Sequence, residues 1–133
     1  MTEGPGRTVL LVEDNETIRD AFAILLGESG YNVISAGTGR EALDLAKSDR
    51  PDLILMDLGL PDMNGLEVTR RIKGGAKTKD IVVVALTGRA LETDQAECLA
   101  AGCAGYLPKP IDTRRLLNAL PRYLAGENDL TSS

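Results

Sequence analysis

Short, unbroken apolar runs alternate with stretches of helical periodicity along most of the 133 residues, and this alternation narrows the fold sharply. Val9–Val12 (VLLV), Leu53–Met56 (LILM) and Ile81–Leu86 (IVVVAL) lack the polar-every-second-residue pattern of a strand with one wet face. Each therefore reads as a strand buried on both sides. After the first run, Ile18, Ala21, Phe22, Leu25 and Leu26 recur at offsets of 0, 3, 4, 7 and 8, which predicts an amphipathic helix closed by Gly30. Tyr31–Ser35 reads as a strand and Gly39–Ser48 as a helix capped by Thr38. A polar turn containing Pro61, Asn64 and Gly65 leads into a short helix over about Leu66–Lys73. Leu91–Ala101 predicts a helix stopped by Gly102. Tyr106 and Leu107 form a short last strand, and Leu116, Leu117, Leu120, Tyr123 and Leu124 the apolar face of a final helix with Asp112 as cap. Pro121 falls inside that helix, where it deletes a backbone hydrogen bond, so a kink or an early stop is expected there.

Five strand-then-helix units of this kind predict an α/β fold, a parallel sheet covered on both faces by helices through right-handed crossovers. The length corresponds to one domain. Residues 1–6 and 126–133 read as flexible ends around a folded unit over 7–125.

Composition then removes several functions. Lys and Arg number 15 against 20 Asp and Glu, so 15 − 20 gives a formal charge of −5. An acidic chain has no excess cationic field for phosphate backbones or anionic lipid, and neither direct nucleic-acid binding nor membrane binding is expected. The first residues carry no signal-like apolar stretch and no window approaches a spanning helix, so the cytoplasm is the expected compartment. Cys98 and Cys103 lack zinc-site spacing and are too few for a disulfide framework; they read as small buried hydrophobes. The histidine count is zero. That excludes Ser-His and Cys-His nucleophile pairs, imidazole metal ligands and a phosphohistidine carrier. Chemistry is left to carboxylates, Lys, Thr, backbone groups and a borrowed ion.

Ligands of open parallel sheets bind outside the carboxyl ends of the strands. Glu13 and Asp14 follow the first strand, Asp57 the third, Thr87 the fourth and Lys109 the fifth. Singly, Asp14 and Thr87 could be helix caps, Asp57 a turn acid and Lys109 a surface charge. Together they bring three carboxylates, a hydroxyl and an ammonium to one edge. Three adjacent carboxylates repel unless a cation sits among them. Mg2+ suits such a set, because it takes one or two carboxylates, keeps waters and accepts phosphate oxygens. With Lys109, Thr87 and the backbone N–H groups after Asp57 to hold phosphoryl oxygens, the set suits phosphoryl transfer onto an aspartate.

The acidic pair in VEDN, the LILMD run with LPDMNG behind it, the ALTG strand end and the AGCAGYLPKPI segment together resemble a response-regulator receiver domain of two-component signalling, over about residues 7–125. The resemblance implies a flavodoxin-like, doubly wound five-stranded sheet in the order 2-1-3-4-5. It implies Asp57 as the phosphoacceptor and a Mg2+ ligand, Asp14 as the principal metal carboxylate, Glu13 acting mainly through ordered water, and the Gly59 carbonyl as a further ligand. Thr87 would hydrogen-bond the phosphoryl group with the backbone N–H groups of Leu58 and Gly88, and Lys109 would pair with a phosphoryl oxygen before a cis bond to Pro110. Tyr106 would turn inward as Thr87 moves, changing the surface of the fourth helix, fifth strand and fifth helix. Implied partners are a sensor histidine kinase or a histidine phosphotransfer protein and a downstream protein target, with a phosphorylation-dependent homodimer left open. Glu13 stands where Asp is commoner, Gly88 where Ala is frequent, and Gly59 and Arg89 occupy positions that modulate acyl-phosphate lifetime in the family.

Two other readings compete. Gly37, Gly39 and Ala42 fit the loose dinucleotide pattern G-x-G-x-x-A, but they follow the second strand rather than the first, so a turn capped by Thr38 is preferred. An aspartate-nucleophile phosphatase needs a general acid two residues past the nucleophile, and Gly59 stands there. The expectation is a switch rather than an enzyme with its own substrate, with only slow self-catalysed turnover. No second domain is expected after Leu124, and Met1 with the polar C-terminus leads to the expectation of a complete stand-alone chain. A phosphorelay intermediate and a receiver cut from a hybrid kinase are the alternatives.

Overall fold

The computed structural model describes residues 6–88 and 92–127, the side chains of 92–94 excepted. Five strands and five helices alternate: β1 (Thr8–Val12), α1 (Glu16–Glu28), β2 (Asn32–Ala36), α2 (Gly39–Asp49), β3 (Leu53–Asp57), α3 (Gly65–Gly74), β4 (Val82–Thr87), α4 (Glu92–Ala101), β5 (Gly105–Pro108) and α5 (Thr113–Leu124). The strands form one parallel sheet in the order β2-β1-β3-β4-β5, as the resemblance implies. Arg89, Leu91 and residues 1–5 and 128–133, where a lifetime-tuning position, a helix start and the frayed ends were expected, lie outside the described residues.

Side chains alternate across a strand, and with both faces apolar the sheet separates two cores. Leu10, Val12, Ile54, Met56, Val83 and Ala85 pack on one face with Ala42, Leu43 and Ala46 of α2, Val68 and Ile72 of α3, and Cys98 and Ala101 of α4. Val9, Leu11, Leu53, Leu55, Val84, Leu86 and Leu107 pack on the other with Leu26 of α1 and Leu116, Leu120 and Tyr123 of α5. Both cysteines are buried thiols outside any disulfide, as small hydrophobes should be. Contact between their side chains, together with burial, pushes the Cys103 thiol far above the usual range. No described helix is long and apolar enough to cross a membrane.

Helix starts follow their caps. Asn15 Oδ1 accepts from Ile18 N, so α1 begins at Glu16, two residues before its first apolar position, and Asn15 rather than Asp14 is its cap. Thr38 and Asp112 cap α2 and α5 as expected. Gly30 and Gly102, at φ of 100° and 104°, take the left-handed turn that ends their helices. β2 lies one residue later than Tyr31–Ser35. Pro121 does not end α5. It lies in the last turn, so few residues depend on the bond it lacks, and its own carbonyl accepts from Ala125 N at 3.0 Å.

Candidate functional site

Parallel strands deliver their carboxyl ends to one edge, and the register aligns them: Val12 lies beside Met56, Asp57 beside Leu86, and Thr87 beside Pro108. Glu13, Asp14, Asp57, Thr87 and Lys109 therefore leave the sheet together. Glu13, Asp57 and Thr87 are buried and Asp14 is exposed. One oxygen from each of Glu13, Asp14 and Asp57 lies within 4.8 Å of the others. A cleft of about 570 Å³ is lined by Asp14, Asp57, Leu58, Gly59, Asn64, Leu66, Thr87, Gly88, Glu97 and Lys109.

Lys109 ties the site across three strand ends. Its Nζ donates to Glu13 Oε1 at 3.1 Å and lies 3.1 Å from Asp57 Oδ1. Its backbone N–H donates to the Thr87 carbonyl at 2.7 Å, and the Lys109–Pro110 bond is cis. Glu13 is anchored twice more, accepting from Asn15 N on Oε2 at 3.0 Å and from Arg19 on its backbone carbonyl at 2.9 Å. Burial raises the Glu13 carboxyl above its ordinary value, with hydrogen bonds from Asn15 and Lys109 opposing and the charge of Asp57 reinforcing. Burial works to lower the Lys109 ammonium, but its hydrogen bonds to Glu13 and Asp57 and their charges outweigh it, so its pKa is raised and it stays cationic.

The turn after Asp57 is as closely fitted. Gly59 N–H donates to Asp57 Oδ1 at 3.0 Å, an Asx-type turn. Leu58 N–H instead donates to Leu86 O at 3.1 Å, extending the β3–β4 ladder. Of the two backbone donors just past Asp57, the one at its carboxylate is thus Gly59 and not Leu58, whose N–H the ladder already uses. Gly65 N–H closes the turn onto Leu58 O at 3.1 Å, and a Cβ on Gly65 would come within 2.3 Å of the Asp57 carbonyl oxygen. Asp62 accepts from Gly39 N at 2.8 Å and Arg40 N at 3.0 Å, fastening the turn to the start of α2.

Three carboxylates and one ammonium sum to −3 + 1 = −2. Oxygens sharing one octahedral Mg2+ at about 2.1 Å lie within about 4.2 Å of each other. The carboxylate spacing needs little adjustment for that, and hard oxygen donors with a residual double negative charge fit the ion. Tyr106 lies apart from the carboxylates. It is half-buried against the α2, α3 and α4 core, and its hydroxyl accepts from Gln95 Nε2 at 2.5 Å. Sequence reading missed the Gly59 N–H, although an Asp two residues before a turn glycine signals it. It also missed Glu97 and Gln95, which only the placement of α4 brings near β4 and β5.

A second cavity of about 460 Å³ borders the far side of Glu13 and Lys109, walled by Leu11, Ile18, Phe22, Leu55, Leu86, Pro110, Ile111 and Leu116. Gly37–Ala42, the loose dinucleotide pattern, forms a turn and the capped start of α2 at the edge-strand side, as preferred above.

The profile of the response regulator receiver domain family matches residues 9–121. The polar-differentiation response regulator DivK of Brucella anthropi is 42% identical over 118 residues, which cover 89% of this chain and 96% of DivK. Chemotaxis protein CheY4 of Vibrio cholerae superposes with a TM-score of 0.84 at 33% identity, covering 88% of this chain and 98% of CheY4. The receiver domain of the sensor histidine kinase PA1611 of Pseudomonas aeruginosa PAO1, with a magnesium ion coordinated in its active-site cleft, superposes with a TM-score of 0.83 at 36% identity, covering 91% of this chain and 99% of that domain. Strand order, the polar strand ends and similarity over most of the length agree, and the chain belongs to the response-regulator receiver domains of two-component signalling.

Proposed function

We propose that this receiver is a phosphorylation-controlled binding switch in which Asp57 takes a phosphoryl group from a phosphohistidine of a partner protein. The observation that carries the reading is the Lys109 ammonium at 3.1 Å from both Glu13 and Asp57 beside three clustered carboxylates. It pairs with the acceptor carboxylate and sets a cation where phosphoryl oxygens arrive.

Lys109 and the Gly59 N–H both address Oδ1 of Asp57, so attack is assigned to the other oxygen. A new O–P bond forms as the P–N bond of the donor breaks. The leaving imidazole keeps the electron pair and takes a proton from solvent. Asp14, Asp57, the Gly59 carbonyl and, through water, Glu13 are the residues that would hold Mg2+; when bound, the ion supplies charge neutralisation for the phosphoryl oxygens. Lys109 moves from carboxylate to phosphoryl oxygen, and the Thr87 hydroxyl with the N–H groups of Gly88 and Gly59 holds the remaining oxygens. No side-chain acid stands two residues past Asp57, which is why the chain acts as an acceptor with slow turnover and not as a phosphatase. Tyr106 carries the change to α4, β5 and α5.

The donor must bring its imidazole over Asp57, and the surface it meets beside the cleft is apolar, with Ile18 40% exposed next to Phe22, Pro110 and Ile111. Such a collar fits a partner helix presenting a histidine amid apolar residues. Intact-mass spectrometry after incubation with Mg2+ and acetyl phosphate tests the acceptor. A gain of one phosphoryl group in the parent that disappears in Asp57→Asn and without Mg2+ is expected. A folded parent that gains nothing overturns the reading.

A further inference from the structure

Tyr106 and Gln95 meet in an arrangement that the phosphoacceptor chemistry does not require. β5 alternates: Leu107 packs toward α1 and α5, as does Gly105 against Tyr123, while Tyr106 faces the α4 side. Its register partner is Ala85, two residues before Thr87 and hence on the same face of β4 as Thr87. On this face of β4 the side chain beside Tyr106 is the small one of Ala85. The phenol hydroxyl is engaged instead by α4, accepting from Gln95 Nε2 at 2.5 Å.

Gln95 belongs to α4, whose hold on the sheet is uneven. Its C-terminal half buries Cys98 and Ala101 and is fastened by Cys103 N–H to Cys98 O at 2.9 Å and Gly102 N–H to Cys98 O at 3.1 Å. Gln95 lies in the N-terminal half, where it is half-buried and its amide reaches across to β5. If the phenol turns toward Thr87, either this bond breaks or the first turns of α4 follow the ring.

We infer that Gln95 is a positioning residue that latches Tyr106 to α4 before phosphorylation, so that its amide sets how often the ring turns inward and couples that turn to the start of α4. This rests on the reading of Tyr106 as the switch residue. One neutral hydrogen bond of this kind shifts a two-state equilibrium roughly two- to twelvefold.

The test is 19F NMR of protein labelled with 3-fluorotyrosine, which has three tyrosines, with Tyr106 assigned through Tyr106→Phe. Gln95→Leu keeps the bulk and removes the donor. Gln95→Glu keeps the reach and accepts from the phenol O–H instead. In unphosphorylated Gln95→Leu the Tyr106 resonance is expected to move toward its position in the phosphorylated parent, by the population ratio above, and amides in the first turns of α4 should exchange faster. Gln95→Glu should restore both. A Gln95→Leu resonance coincident with that of the unphosphorylated parent, or a Gln95→Glu protein that behaves like Gln95→Leu, overturns the latch. The same samples are weighed after acetyl phosphate treatment. Absence of a phosphoryl gain in the parent condemns the acceptor reading, while the latch still stands or falls on the unphosphorylated comparison of shift and exchange.

Discussion

Lys109 Nζ faces two carboxylates that are almost wholly enclosed, Glu13 being 2% and Asp57 4% exposed. Removing one member of a buried charge group leaves the others desolvated and unpaired. Without divalent ion, Lys109→Ala is expected to cost on the order of 2 kcal/mol in urea unfolding. Phosphoryl uptake from acetyl phosphate should fall by about 10²–10³, the cost of losing one aligned donor at developing charge. An unchanged uptake rate would take Lys109 out of the chemistry. Glu13, Asp14, Asp57, Thr87 and Lys109 could all be read from sequence, because each lies at or within two residues of the end of an apolar strand run. The Gly59 donor was signalled by its place two residues past Asp57 in a polar turn but not singled out, and Glu97 and Gln95 needed the position of α4.

α1, α2, α3 and α5 begin where a side chain in the preceding turn accepts a backbone N–H, and α2 has two such acceptors. Thr38 Oγ1 takes Glu41 N at 3.1 Å, and Asp62, from the turn after β3, takes Gly39 N and Arg40 N. Donation from Gly39 holds the Asp62 carboxyl below its ordinary value against slight desolvation, with Arg40 adding to the effect. A lowered folded pKa gives stability that is present above the unfolded aspartate value and lost as pH falls through the folded one. Asp62→Ala should therefore be less stable than the parent at neutral pH and equal to it once both are titrated below the carboxylate range. Urea midpoints measured across that window test this, and a pH-independent difference would assign Asp62 a packing role only. Element order followed from periodicity, whereas ends shifted by a residue or two because caps such as Asn15 and Asn64 are polar turn residues that periodicity does not register. The early stop expected at Pro121 did not occur for a similar reason: a helix rule written for interiors loses force in a last turn.

At the scale of the whole molecule the two cores are separated by one sheet whose strand ends carry a net negative charge. A cation that binds only the folded cluster must stabilise the fold by mass action, by about 2.7 kcal/mol at a hundredfold excess over Kd. Thermal unfolding should therefore move upward with Mg2+ in the parent and far less in Asp14→Ala; equal shifts in both would place the ion elsewhere. Five parallel strands with helices on both faces were legible from unbroken apolar runs. The order 2-1-3-4-5 was not, since apolar runs do not say which strand lies beside which, and it came from the motif resemblance.

The clasp that Lys109 makes with Glu13 spans 96 positions of sequence. A ribosome makes the acids that follow β1 and end β3 before the ammonium that follows β5. While β5 is still in the exit tunnel, those acids lack the lysine that pairs with them in the folded sheet. The charge cluster at the strand ends therefore gains its balancing cation only once β5 has joined the sheet.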